Sequence, residues 1–212
     1  MRFLAEGLVV IASILLAFAI DAWWDRRGER EREDEVLAAL EHEMIQNKQD
    51  IETTLESHAR THEAVLAFLG STPAEIGALS ADSAAVLSGW LFRVRVFTPL
   101  EGVMNGAELS ALRDPELRLA LATWGGISMD QAENRPELWD LAQGVWRNRA
   151  IARGMGYGAP LDAIALQRLR ADPALWADLE VQDMVRQGDG GKLSRLLQQT
   201  DEVLRLLQDR GR

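Results

Sequence analysis

Residues 29–73 read EREREDEVLAALEHEMIQNKQDIETTLESHARTHEAVLAFLGSTP, and the spacing of the apolar side chains in this stretch decides the fold. Leu37, Leu40, Met44, Asn47, Ile51, Thr54, His58, Thr61, Val65 and Phe68 recur at alternating intervals of three and four. That is the coiled-coil period, carried through four heptads of one continuous helix. The seam is apolar at first and turns polar at Asn47, Thr54, His58 and Thr61. A second line, Leu40, Met44, Ile51, Leu55, Leu66 and Leu69, widens the stripe beyond a bare dimer seam. Such width suits a helix packed on its own domain better than a homodimeric coiled coil. Gly70, Ser71, Thr72 and Pro73 end the helix.

Toward the N-terminus, no Pro interrupts the chain back to Phe3, and Gly28 is the one weak point, a place for a bend. Residues 3–24 read FLAEGLVVIASILLAFAIDAWW, with an uninterrupted apolar core over residues 7–20. With its flanks this segment reaches the length of about 20 residues needed to cross a bilayer, and Trp23 and Trp24 fall where headgroups begin. Ala17-Phe18-Ala19 resembles a signal-peptidase site, but Glu6 is foreign to the basic leader of a signal peptide, so a retained anchor is expected. Arg26, Arg27, Arg30 and Arg32 follow the span and only Arg2 precedes it, so the rest of the chain is expected on the cytoplasmic side of the membrane. Glu6, Val10, Ser13, Ala17 and Asp21 share one face, small or polar throughout. Glu6, Ser13, Ala17 and Asp21 are therefore the expected contact with a partner helix, because small residues let backbones approach and polar ones near hydrocarbon face protein.

Toward the C-terminus the sequence predicts further helices over residues 80–95, 101–124 (with a break allowed at Asp114), 129–153, 160–186 and 192–209. Asp114-Pro115 and Asp172-Pro173 have the N-cap and first-turn chemistry of helix starts. Thr98-Pro99, Gly125-Gly126, residues 154–160 and Gly188-Asp189-Gly190-Gly191 read as breaks. The last helix, with Leu193, Leu196, Leu197, Thr200, Val203, Leu204 and Leu207 on one side, should return onto the first. The expected fold is all-α. Residues 1–25 form a transmembrane anchor, 26–70 a long juxtamembrane coiled-coil-like helix, and 71–212 the remainder of a helical bundle.

Composition narrows the chemistry. The net charge is −10, which repels nucleic-acid phosphates, and no basic stripe offsets it. The chain has no Cys and three His, all in the first long helix. His58 and His62 share a face, but H-E-x-x-H is absent, so seam or solvated histidines are expected rather than a metal pair. The glycine stretches at 154–158 and 188–194 fit neither a dinucleotide loop nor a phosphate loop. No catalytic residue, metal ligand or cofactor is expected. Of the seven Trp, Trp90, Trp124 and Trp176 are expected in the core, while Trp139 and Trp146, near Arg147 and Arg149, are candidates for a protein interface.

Two segments carry a resemblance. Ile20-Asp21-Ala22-Trp23 closes the span, and residues 106–118 read GAELSALRDPELR, continuing to Leu121 and Trp124. This resembles a family of uncharacterised single-pass bacterial membrane proteins, whose span ends in Asp/Asn-x-Trp and whose mid-chain carries Gly-x-x-Leu-x-x-Leu-x-Asp-x-x-Leu-Arg. The resemblance covers the anchor, the juxtamembrane helix and residues 98–124, implies anchor and helical fold, and transfers no activity. The expected role is a non-enzymatic accessory or scaffold subunit on a larger integral-membrane complex, such as a respiratory or photosynthetic assembly, or one that self-associates through its span. The alternative is a membrane-tethered sensor or regulator that binds a small ligand or soluble protein.

Overall fold

The computed structural model describes residues 2–100, 102, 109, 112–133, 136, 140 and 161–210, with side chains from residue 14 onward. Among them every regular element is a helix. α1 (Arg2–Gly70) is followed by α2 (Pro73–Gly77), α3 (Ala81–Leu91), α4 (Pro115–Glu133), α5 (Ala163–Arg170) and α6 (Pro173–Arg210).

α1 has 69 residues and is therefore about 100 Å long at ~1.5 Å per residue. Its predicted seam is buried from Leu40 to Phe68, and Leu37 is half-buried. The partner is α6, with 38 residues, running antiparallel: Lys48 meets Asp201, His58 meets Asp189 and His62 meets Asp183. The bundle thus closes on itself, and the last helix returns onto the first as the amphipathic pattern requires. α4 lies against α6, where the Trp124 indole is fully buried and donates to Thr200 Oγ1 at 2.8 Å.

Two apolar cores result. One gathers Leu40, Met44 and Ile51 of α1, Leu117, Leu121 and Trp124 of α4, and Leu193, Leu196 and Val203 of α6. The other gathers Val65 and Phe68 of α1, Ile76 of α2, Leu91 of α3, Leu166 and Leu169 of α5, and Leu175 and Leu179 of α6. At the far end, Arg170 closes the first helix. Its guanidinium donates to the carbonyls of Ser71 and Leu69, both at 2.7 Å, and stacks 3.8 Å from the centre of the Trp176 ring. Those carbonyls lack helical partners at a helix C-terminus, so a buried cation satisfies them and completes the helix dipole.

Local chemistry sets the ends of the shorter helices. Thr72 and Glu75 form a reciprocal capping box before α2. Asp114 accepts from the backbone N–H of Glu116 and Leu117, and Asp172 accepts from Ala174, as the Asp-Pro pairs predict. A helix accordingly starts at Pro115, where the expected helix over 101–124 allowed a break, most of residues 101–111 lying outside the described residues, and the one over 160–186 divides at Asp172.

Three expectations are corrected. Gly125-Gly126 lies inside α4, and Gly188-Asp189-Gly190-Gly191 lies inside α6 rather than in a loop. Each Gly costs about 1 kcal/mol in a helix interior, which burial of Leu121, Trp124, Leu193 and Leu196 on the same helices outweighs. Leu66, assigned to the second apolar line, is 55% exposed, because it stands about 100° round the helix from the buried Val65. The expected helix over 129–153 is seen as far as Glu133, and the glycine stretch at 154–158 lies outside the described residues.

Before Glu29, which pairs with Arg113 at 2.9 Å, the described side chains of α1 are mostly exposed. Ile14, Leu15, Leu16, Phe18 and Ile20 are each about half or more exposed, as are Trp23 and Trp24. Among the described residues no helix is long and apolar enough to cross a membrane; only residues 14–20 of the apolar run over residues 7–20 fall within the described side chains.

Candidate functional site

The two apolar cores do not meet. Between them α1 and α6 bury polar groups, and this polar waist is the chemically distinctive part of the bundle. α1 contributes Thr54, Ser57, His58 and Thr61; α4 contributes Ser128 and Gln131; α6 contributes Gln182, Asp183, Arg186 and Asp189. All are buried. Burying such groups is unfavourable unless each finds a partner, so the network that holds them is informative.

His58 Nε2 donates to the backbone carbonyl of Arg95 at 3.1 Å, and its Nδ1 lies 3.8 Å from Asp189 Oδ2. The Gln131 amide donates to Asp189 Oδ1 in a short hydrogen bond. One turn along α1, His62 Nδ1 donates to Asp183 Oδ2 at 2.7 Å, and Gln187 donates to the same oxygen at 2.9 Å. Arg95 bridges back to α1 through Asp50 and through Thr54 Oγ1 at 3.2 Å. Asn47 pins the same connecting segment, donating to the Leu100 carbonyl at 3.0 Å and accepting from its N–H at 2.8 Å. Six buried atoms, His58 Nδ1, Ser128 Oγ, Gln131 Oε1, Asp183 Oδ1, Arg186 Nη1 and Asp189 Oδ2, have no hydrogen-bond partner among the described residues.

This environment shifts the charged groups. Burial pushes the His58 ring below its ordinary value, aided by the Arg186 charge and opposed by the Arg95 carbonyl and by Asp189. Burial also raises the Asp189 carboxyl, against the Gln131 hydrogen bond and the His58 and Lys192 charges. Arg186 is pushed down by burial, with Asp183 resisting. The arrangement favours neutral forms of His58 and Asp189 and holds a cation beside them.

The histidines expected in the seam divide between two states. His58 is buried in it, whereas His62 sits half-buried at its edge, and His42, exposed, contacts the Gln46 amide at 2.8 Å. No group of three or more metal-ligating side chains occurs among the described residues. The Trp residues also divide. Trp124 is wholly buried, while Trp90 is half-buried, with the guanidinium of Arg60 5.2 Å and that of Arg93 4.8 Å from its ring centre. An open groove of about 680 Å³ runs beside it between α1 and α3, edged by Glu63 and Asp82. Trp139 and Trp146 lie outside the described residues.

Of the stripe expected to meet a partner helix, Ala17 and Asp21 lie one turn apart in the exposed part of α1. Glu6 and Ser13 belong to the same helix, with side chains outside the described set. Below the stripe the surface turns aromatic and basic: Trp23 packs edge-on against Trp24, and Arg27 lies 5.7 Å over the Trp23 ring while pairing with Glu31.

The waist residues of α6 were not singled out from the sequence. Their signal is a second seam, Leu175, Leu179, Gln182, Arg186, Asp189, Leu193, Leu196, Thr200, Val203 and Leu207, with intervals alternating between four and three. Reading the glycines as a loop cut that seam in half. Comparison of the chain with protein-family models, with curated proteins and with solved structures finds no match in any of the three.

Proposed function

We propose that the protein is a non-enzymatic accessory or scaffold subunit, held in a bacterial inner membrane by one N-terminal span and docking on a larger integral-membrane complex. The observation that carries this reading is the bare apolar sleeve of α1. Ile14, Leu15, Leu16, Phe18 and Ile20, spread over all of this segment of α1 except the Ala17–Asp21 face, are each about half or more exposed and then give way to Trp23, Trp24, Arg26 and Arg27. An apolar surface over most of a helix suits hydrocarbon, and an aromatic and basic collar suits headgroups. The Arg residues put the bundle on the cytoplasmic side. Glu6, Ser13, Ala17 and Asp21 form the face that meets the partner helix, where Ala17 leaves room for close approach.

Bulk on that face should block docking, and truncation elsewhere on the span should not. Ala17→Leu is expected to abolish stoichiometric co-purification with the partner complex in mild detergent, read by mass spectrometry at equal expression. Leu15→Ala is expected to leave it intact. Equal behaviour of the two variants would reduce the span to a tether. A second reading, a membrane-tethered sensor, draws on the polar waist, since a bundle selected only for stability has no need of six buried polar atoms without partners.

A further inference from the structure

The contact between His58 and Asp189 obeys a simple rule of donors and acceptors. The Arg95 carbonyl can only accept, so His58 Nε2 carries a hydrogen and donates it. In the neutral ring, Nδ1 is then a bare acceptor. It faces Asp189 Oδ2 at 3.8 Å, and neither atom has another partner among the described residues. With the carboxyl ionised, two acceptors would oppose each other in a site where His58 is 8% and Asp189 4% exposed. One proton turns that opposition into a hydrogen bond. Asp189 Oδ1 already accepts from Gln131, which leaves Oδ2 as the oxygen to carry it.

We propose that His58 and Asp189 form a buried one-proton binding site, in which a proton on Asp189 Oδ2 is donated to His58 Nδ1 and ties α6 to α1 between the two apolar cores. The surroundings fit. From α6, Arg186 discourages a second positive charge on the ring, while Asp183 is occupied by His62 and Gln187. Lys192, also on α6, is drawn to Asp130 of α4 at 3.1 Å. From the connecting segment, Arg95 is engaged by Asp50 of α1. Asp183 is the other buried carboxyl of the waist among the described residues. Gly188, Gly190 and Gly191 flank Asp189, so the helix that carries it is intrinsically weak where the proton binds.

The sign of the pH effect follows. Asp189 is raised above its ordinary value of 3.8, so its contribution to stability is present below that pH and is lost as pH rises through the folded value. His58 is lowered from 6.5, so it acts the other way, adding stability as pH rises from its folded value to 6.5. Asp189→Asn isolates the first effect, because an amide donates permanently where the protonated carboxyl donates only at low pH.

The test uses the full chain in detergent micelles. Thermal unfolding of Asp189→Asn and wild type should coincide near pH 4 and diverge as pH rises, the variant unfolding about 2–8 °C higher at pH 8. A variant that is folded yet no more stable at pH 8 overturns the proposal, as does a gap independent of pH. A second readout holds even if the variant fails to fold. Selective ¹⁵N-histidine labelling of the wild type gives three rings, assigned with His42→Gln and His62→Gln. His58 is expected to keep Nε2 protonated and to show Nδ1 as a hydrogen-bond acceptor whose shift follows the Asp189 titration. A doubly protonated His58 ring at neutral pH, or an Nδ1 that ignores pH throughout, overturns it.

Discussion

Along one seam, Leu40, Met44 and Ile51 of α1 lie in a common core with Leu193, Leu196 and Val203 of α6; two turns further on, His58 and His62 face Asp189 and Asp183. The same two helices, at the same spacing, build an apolar core and then a polar waist. In the core the side chains are interchangeable within limits of volume, and the hydrophobic effect supplies the stability. In the waist His58 and His62 each face one particular carboxyl across the interface, so a slip of the helices by one turn would strand buried charges. The core holds the helices together and the waist sets their register, a division of labour known from polar residues in coiled-coil seams.

Substitutions can break that comparison at three scales. The largest effect belongs to the core. Trp124→Ala empties a wholly buried site and orphans the Thr200 hydroxyl contact, and should lower stability by about 3–5 kcal/mol, read from the urea midpoint of the full chain in detergent. The waist should respond less to a single change and differently to a double one. His58→Leu removes the donor to the Arg95 carbonyl and leaves Asp189 without its neighbour, a loss of about 1–3 kcal/mol. Adding Asp189→Leu should recover part of it, since apolar pairs replace buried polar ones at little net cost. If the double variant loses as much as the two singles combined, the waist behaves as a network extending beyond this pair.

The smallest effect has the opposite sign. Gly188 and Gly191 each have open space where a Cβ would stand, and Gly→Ala at either site should raise stability by about 0.5–1 kcal/mol in the same denaturation series. Absence of a gain would mean that this turn of α6 is stabilised by something other than its own backbone.

The seam of α1 was legible from residues 37 to 68 because its period survives polar substitution: Asn47, Thr54, His58 and Thr61 are buried where the period puts them. The caps at Asp114 and Asp172 were legible for a local reason, since an aspartate before proline states its own role. The waist was only half legible. His58 stood out on α1, but it faces Asp189 of α6, which is held by Gln131 of α4, and two glycine clusters disguised those helices as broken. A single Gly is a local signal worth about 1 kcal/mol, whereas the burial that overrules it comes from residues dozens of positions away in the chain. No local reading can weigh the two against each other.

The unbroken course of α1 also makes it a lever. From Trp24 to the first buried residue, Val36, the helix rises about 18 Å, a stretch along which Arg113 reaches Glu33 and Glu29. From Trp24 to Gly70 it rises about 70 Å, and a tilt of about 10° at its foot would sweep the far end through roughly 12 Å. A small change in how the N-terminal segment leans is thereby magnified into a displacement larger than the width of a helix at the Arg170–Trp176 end of the molecule.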